Sequence, residues 1–257
     1  MMLRTLTLSC ALASMATPSV AQVPMPTRPE LYKFVTIQAA PGRLLDLIAA
    51  YRERAPVMAA SGDEMPIVVR HSQGDRWDLL LIYPTGSFTD YYSKERIAKR
   101  EAAGAASNMS NAAFQQRLYD LIGWHEDVFV WGPPQAELRA YMQGNTLAHL
   151  EMLQAMGGKH DELIKERYME SAFNVGRGRP AMLVFTHEQG AAWDVITLDA
   201  WKDWKHYGDL QAVPPDVSEA AAKKAGFASA ESVGVYMRSL INTHHDTLGS
   251  VVSLTPR

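Results

Sequence analysis

The sequence predicts an α+β protein made of two tandem βαββαβ modules, because one pattern of strands and turns occurs twice. The segment His71-Ser-Gln-Gly-Asp-Arg-Trp-Asp78 returns as His187-Glu-Gln-Gly-Ala-Ala-Trp-Asp194, 116 residues later. A second motif, Leu-Ile-x-x-His-x-Asp, ends at Asp127 and again at Asp246, 119 residues apart. Duplication of one supersecondary unit explains both offsets, with three extra residues in the second copy.

The first module is predicted to cover residues 22–134. Pro41-Gly42 breaks an apolar strand, and Leu44, Leu47 and Ile48 then follow the i, i+3, i+4 spacing of a helix. Two β-rich runs around a glycine-containing turn indicate a hairpin. The predicted elements are a strand at 32–38, a helix from 44, strands at 65–71 and 77–83, a mainly helical region at 87–122 and a strand at 127–131.

The second module is predicted to cover residues 135–257 and to repeat this order. Pro214-Pro215 breaks its second helical region, which explains where the extra residues lie. The predicted elements are a strand at 148–154, a helix at 161–169, strands at 181–187 and 193–198, a broken helical region at 201–242 and a strand at 246–252.

The N-terminus predicts an exported protein. Arg4 precedes an apolar stretch, and small residues before Gln22 are typical of a secretory signal peptide at residues 1–21. Its removal takes away Cys10, the one cysteine, so the mature chain is expected to lack disulfides and thiol chemistry in the periplasm or outside the cell. A net charge of −3 without basic clusters argues against nucleic acid as a partner. Later apolar runs are too short to span a membrane.

The βαββαβ order is the ferredoxin-like unit, whose second sheet face needs a partner. Two such units in one chain resemble the dimeric α+β barrel superfamily, which includes antibiotic-biosynthesis monooxygenase-like, EthD-like and NIPSNAP-like proteins, here in fused form. The resemblance implies one barrel formed by both modules, a flat apolar small-molecule ligand, and a homodimer as an optional assembly. It leaves the activity open, since members range from cofactor-free oxygenases to haem-handling enzymes.

The repeated hairpin motif has two interpretations. Each histidine and tryptophan could stack across neighbouring strands and fix their register, which is a structural role needed in both copies. Alternatively, His187 acts as a base or orienting donor beside an aromatic wall formed by Trp193. The second motif places His125 with Asp127, and His244 with Asp246, on one strand face, where the carboxylate could orient the imidazole. Capping or turn chemistry is the alternative for that motif.

Residues that differ between the modules suggest further chemistry. His149 and Glu151 share a strand face and could bind a metal with His187 or His244 as third ligand. No ligand-spacing motif supports such a site, so no metal is predicted and the cofactor stays unknown.

The helix that starts near Trp204 suggests an active site in the second module. The resemblance to monooxygenase-like members implies a catalytic histidine there, which would be His206, beside Trp204 and a first-strand Gln154. Those members have Asn on the first strand and Trp near the end of the third, and this chain has neither. Asp90 stands at the position of His206 in the first module, so one site is expected. Alternatively, Trp204 and Tyr207 simply form an apolar helix face.

Three functions follow as alternatives. The first is an exported enzyme that uses histidine acid–base chemistry on a small apolar or aromatic molecule, with His206, His187 and His244 as catalytic residues and Gln154, Trp193 and Trp204 contacting substrate. The others are a haem- or metal-binding protein and a structural or assembly protein. Dinucleotide-binding glycine motifs, phosphate loops and nucleophile elbows are absent from the sequence, which argues against nucleotide-dependent and serine-hydrolase chemistry.

Overall fold

A computed structural model describes residues 25–254 and gives this part of the chain a mixed α+β fold. The first half contains β1 (Glu30–Ala39), α1 (Leu44–Ser61), β2 (Ile67–Gln73), β3 (Leu79–Gly86), α2 (Phe88–Tyr91), α3 (Lys94–Ala105), α4 (Asn111–Leu121) and β4 (Ile122–Gly132). Helix α5 (Gln135–Met142) connects it to the second half. The second half contains β5 (Leu147–Ala155), α6 (His160–Gly176), β6 (Leu183–Gly190), β7 (Val195–Trp201), α7 (Trp204–Asp209), α8 (Pro215–Ala225), α9 (Ser232–Arg238) and β8 (Ile241–Val252).

The strands form a closed antiparallel barrel in the order β1-β3-β2-β8-β5-β7-β6-β4. In the first half β1 pairs with β3 and β4, and in the second half β5 pairs with β7 and β8. Two seams join the halves, where β2 pairs with β8 and β4 pairs with β6. The predicted α+β class is therefore confirmed, and the structure shows that its sheet has eight antiparallel strands.

Apolar side chains fill the inside of the barrel. Successive side chains of a strand point to opposite faces, so Tyr32 and Phe34 of β1 both point inward. Their rings meet the Phe185 ring of β6 with centroids 5.4 and 4.9 Å apart. Leu138 and Met142 of α5 join the same core. The barrel interior is thus a packed core, and the cavity described below lies on the outside.

Helices cover the outer face of the sheet. The predicted apolar stripe of α1 is found, since Leu47 and Ile48 are buried against Val35 of β1. In the second half Leu163 and Ile164 of α6 pack on the sheet in the same way. Burial of apolar surface at about 25 cal/mol per Å² holds these helices on the barrel.

The repeated H-x-Q-G-x-x-W-D motif fixes a strand connection in each half. The Asp78 carboxylate accepts a hydrogen bond from the backbone N–H of Ala39 at 2.8 Å, and Asp194 accepts one from Ala155, also at 2.8 Å. Each aspartate thereby ties the end of its hairpin to the end of the first strand. These contacts support the structural interpretation of the motif.

Several elements differ from the predicted bounds, two strands and one helix among them. Strands β4 and β8 begin at Ile122 and Ile241, whereas the sequence predicts them from 127 and 246. They start earlier because β4 pairs along the whole of β1, and β8 along the whole of β5. Helix α5 is not among the predicted elements, although Leu138, Tyr141 and Met142 have helical spacing.

The predicted signal peptide, residues 1–21 with Cys10, lies outside the described residues. Within residues 25–254, none of the helices combines the length and the hydropathy that a membrane span requires.

Candidate functional site

A cavity of about 410 Å³ lies between the outer face of the first-half sheet and helices α1, α3 and α4. We call it the outer cavity. Alternate residues of β1 and β4 form its floor, because only one face of each strand points toward the helices. Its lining includes Lys33, Val35, Tyr51, Arg54, Asp63, Tyr83, Tyr91, Arg96, Arg100, Phe114, His125 and Asp127.

Charged side chains of α3 form one wall of the outer cavity. Ser93 caps α3 by accepting a hydrogen bond from the backbone N–H of Arg96 at 3.2 Å. Arg96 and Arg100 then donate to the two oxygens of Asp63 at 2.7 and 2.6 Å. Both guanidinium groups also lie over the Tyr91 ring, 5.2 and 4.2 Å from its centroid. Although burial alone would raise the pKa of Asp63, these arginine hydrogen bonds lower it.

Two phenols line the outer cavity, Tyr83 from β3 and Tyr51 from α1. Burial raises the pKa of Tyr83 well above its ordinary value, and burial also raises the pKa of Tyr51. Both side chains are therefore neutral at pH 7, and because their hydroxyls are hydrogen-bonded to each other, one proton of the two is left to donate to a ligand. Lys33 lies over the Tyr83 ring, with Nζ 5.4 Å from its centroid.

A histidine–aspartate pair lies at the mouth of the outer cavity. His125 and Asp127 are on the same face of β4, and His125 Nδ1 is 3.1 Å from Asp127 Oδ1. The His125 side chain is 53% exposed, so solvent and ligands can reach it. Lys33 Nζ lies 3.6 Å from the same carboxylate. The carboxylate can hold the imidazole in the tautomer with its proton on Nδ1, which leaves Nε2 free to accept a proton.

The equivalent place in the second half contains a buried ion network. Arg167 stands at the position of Tyr51 in the repeat and is fully buried. It donates to Glu151, Glu166 and Glu170 at distances of 2.7, 2.7 and 2.6 Å. The outer faces of the two halves have therefore diverged, since the first keeps an open cavity where the second places an arginine and its carboxylates.

His149 extends this network toward the seam with the first half. Its Nδ1 lies 3.3 Å from Asp199 and its Nε2 lies 3.6 Å from Asp246, which is also 3.1 Å from His244. Although burial would lower the pKa of His149, its hydrogen bonds to Asp199 and Asp246 raise it well above the ordinary value. The same contacts outweigh burial at Asp246 and lower its pKa to about 2.

These pKa shifts predict a stability that depends on pH. The contribution of a histidine with a raised pKa is complete below its unfolded value of about 6.5 and is lost as pH rises through the folded value. The contribution of Asp246 is present above about pH 4 and is lost as pH falls toward 2. We therefore expect the free energy of unfolding to decline above about pH 6.5, and His149→Gln to reduce that decline.

Urea unfolding of the wild-type and His149→Gln proteins from about pH 5 to pH 9 measures this difference. His206→Gln is the control, because His206 lies outside the network. Parallel pH curves for the wild-type and His149→Gln proteins would show that the His149 contacts contribute nothing.

The structure places the six residues predicted from sequence in separate regions. His206 lies in the first turn of α7, where its backbone N–H donates a hydrogen bond to the Asp203 carboxylate at 2.8 Å. The centroid of its ring is 5.8 Å from that of Trp201. Trp204 is 43% exposed. Gln154 lies seven residues along β5 from Leu147, the residue that pairs with Trp201. At about 3.3 Å per residue the structure holds Gln154 roughly 20 Å from that end of the sheet, away from Trp204.

The two other predicted histidines lie on different faces of the sheet. His187 pairs with Val130 at the seam, and its Nε2 is buried without a hydrogen-bond partner. His244 is on the outer face beside Asp246. Trp193, predicted to contact substrate, donates to Glu126 at 2.6 Å and meets the His245 ring at 4.8 Å. The structure therefore does not bring these residues together with His206.

The part of the chain that the structure describes contains no cluster of side chains arranged as metal ligands. Among residues 25–254, no group of three His, Cys, Asp or Glu side chains is placed to hold an ion. His149 and Glu151 do share a face, as their spacing predicts, but Glu151 accepts from Arg167 and His149 contacts aspartates.

Sequence reasoning missed the outer cavity because it searched for polar residues gained in the second half. Comparing the two halves for residues gained in the first half would have indicated the outer cavity. Tyr51 and Tyr83 stand opposite Arg167 and Asp199 in the repeat, so the first half has two phenols where the second half has charges, and Lys33 stands opposite His149.

Comparisons with known proteins establish the fold of the chain. No known family profile and no curated protein matches it. A solved anthrone oxidase-like protein superposes with a TM-score of 0.54 and 12% identity, over 88% of this chain and 92% of that one. A candidate monooxygenase from Fusobacterium nucleatum subsp. nucleatum gives a TM-score of 0.51 and 12% identity, over 87% and 92%. At these identities the likeness shows the fold alone, which is the mixed α+β fold described above.

Proposed function

We propose that this protein is an exported enzyme that binds a flat aromatic molecule in the outer cavity and moves a proton there. One observation supports it most strongly: a cavity of about 410 Å³ lies among four aromatic side chains, with a histidine–aspartate pair at its mouth. That volume is typical of small-molecule sites. Histidine supplies the base, so the proposed reaction needs no organic cofactor.

His125 is the proposed base. Asp127 orients its imidazole, so that Nε2 accepts a proton from a weakly acidic C–H or O–H group of the ligand. The ligand then carries negative charge. Lys33 lies beside the pair and stabilises that charge by ion pairing. The hydrogen-bonded phenols of Tyr51 and Tyr83, which line the same cavity, supply one hydrogen bond to the ligand.

The two halves support a further proposal about origin. Each half has the order βαββαβ, and equivalent strands begin 116 to 119 residues apart. We infer that the chain is a fused tandem pair of ferredoxin-like modules, of which the first keeps the ligand cavity. Sequence comparison alone favours His206 in the second half as the base, so the two assignments predict different inactive variants.

Hydrogen–deuterium exchange tests the proposed reaction. Anthrone is a suitable probe, because it is flat, aromatic and has a methylene group acidified by a carbonyl; it is also the molecule named for one structural relative. We expect the wild-type protein to accelerate exchange of this methylene in anaerobic D₂O. His125→Ala should lower the accelerated rate by about 10²-fold, as loss of a general base does.

Matched variants separate the two assignments. Gln115 lines the outer cavity and Gln116 does not, although both are exposed on α4. Gln115→Trp should therefore slow exchange by obstructing the mouth, and Gln116→Trp should not. If His206→Ala abolishes the acceleration and His125→Ala does not, the site is in the second half. Absence of any acceleration by the wild-type protein would overturn the proposed reaction.

A further inference from the structure

Arg54 is a buried cation at the back of the outer cavity. It lies on α1 with 8% of its surface exposed, and its guanidinium group sits 4.9 Å from the Phe114 ring centroid. It also lines a neighbouring cavity of about 540 Å³ between α1 and the segment joining α3 to α4. It donates hydrogen bonds to two neutral acceptors, Met109 O at 2.8 Å and the side-chain oxygen of Asn111.

Other charged groups of the outer cavity have partners of opposite sign. Lys33 pairs with Asp127, and both Arg96 and Arg100 pair with Asp63. Arg54, in contrast, forms no ion pair with any of residues 25–254. Burial lowers the pKa of its guanidinium group, and no neighbouring carboxylate offsets that effect.

A buried charge without a counter-ion is costly, so such a group is retained when something else provides the opposite charge. An arginine has five N–H donors in a planar fork that matches a carboxylate, and the Phe114 ring beside it suits an aromatic body. We propose that the ligand of the outer cavity is an aromatic carboxylate whose anionic group pairs with Arg54. This inference rests on the proposed function, because it names the class of molecule that the same cavity takes.

Equilibrium dialysis with two probes of one shape tests the inference. At pH 7, 2-naphthoate is an anion and 2-naphthol is neutral. We expect the wild-type protein to bind 2-naphthoate more tightly. Arg54→Gln should weaken 2-naphthoate binding about tenfold or more, the usual effect of losing a hydrogen bond to a charged group, while changing 2-naphthol binding by less than about twofold. Arg52→Gln is the matched control, since Arg52 is exposed on the same helix and donates to Ser253 O instead.

The outcomes distinguish the two proposals. Equal binding of both probes to the wild-type protein, or an equal loss of both in Arg54→Gln, overturns the role of Arg54 but leaves the cavity as a binding site. Failure of the wild-type protein to bind either probe overturns the cavity site as well. If Arg54→Gln does not fold, Arg54→Lys decides, because it keeps the charge but loses the planar fork: its preference for 2-naphthoate should be weaker than that of the wild-type protein, and an unchanged preference contradicts the inference.

Discussion

Replacing Arg167 by tyrosine is expected to lower the free energy of unfolding by about 3–5 kcal/mol, the usual result of removing one partner from a buried ion network. Arg167 has no exposed surface, and Glu166 beside it has none either. Without the guanidinium group, Glu166, Glu151 and Glu170 would face one another in a poorly solvated space. Each carboxylate would then have to take up a proton or disturb the packing of α6 on the sheet.

Even with Arg167 present, one carboxylate of the network is poorly stabilised in its charged form. Burial raises the pKa of Glu166 to about 7, more than the neighbouring Arg167 lowers it, and one of its carboxylate oxygens has no hydrogen-bond partner. A raised carboxyl pKa means that stability falls as pH rises from the ordinary value of about 4.3 through 7, where the buried group ionises. The loss caused by Arg167→Tyr should therefore be larger at pH 8 than at pH 5.

The first half of the chain supplies a matched control for this experiment. At the positions of Glu151, Glu166 and Arg167 it has Val35, Ala50 and Tyr51, three uncharged residues of one buried cluster. A triple variant, Glu151→Val, Glu166→Ala and Arg167→Tyr, should regain much of the stability that Arg167→Tyr alone loses, because it removes two of the three carboxylates together with the arginine and leaves only Glu170, whose side chain is 21% exposed. Urea unfolding measures both. A triple variant no more stable than the single one would show that the lost packing of Arg167, and not unpaired charge, sets the cost.

The sequence predicted the fold better than the site, for a physical reason. The repeated motif includes the residue that fixes the position of each hairpin. Asp78 and Asp194 accept a hydrogen bond from the end of the first strand of their half at the same distance, so matching the motif in the sequence locates the hairpin in both halves. A cavity depends instead on side-chain volumes contributed by distant elements. The outer cavity is open because Val35 and Tyr51 leave space where Glu151 and Arg167 fill it, and no local pattern reports that difference.

Helix α5 shows the same limit in the barrel core. Its spacing of Leu138 and Met142 is readable, but only the closed barrel shows that both enter the interior beside Tyr32 and Phe185. Polar residues that are present only in the second half are predicted as possible metal ligands for a related reason. His149 and Glu151 look like ligands in isolation, and their partners, Arg167 among them, become apparent only when the sheet and α6 are packed together.

Gly74→Ala is expected to destabilise the protein by about 3 kcal/mol or more, because it combines backbone strain with a steric clash at a seam. Gly74 has a φ of +114°, which side-chain-bearing residues rarely adopt. A Cβ atom there would lie 1.9 Å from the backbone oxygen of Asp246 on β8, the last strand of the other half. A backbone group cannot rotate away as a side chain can, so the β2–β8 pairing itself would have to shift.

Gly42→Ala separates the two causes. Gly42 also has a positive φ, +76°, but a Cβ atom there would have nothing within 4 Å, so this variant should lose only about 1 kcal/mol through backbone strain. Gly190→Ala should behave like Gly74→Ala, since Gly190 has the same φ of +114° and its Cβ would lie 2.4 Å from the backbone oxygen of Asp127 on β4. Urea unfolding of the three variants gives the comparison. If Gly74→Ala and Gly190→Ala lose much more stability than Gly42→Ala, the glycine of the repeated motif is required where each hairpin meets the opposite half. Equal losses in all three variants would mean that the seams can shift and that the close approach is not needed.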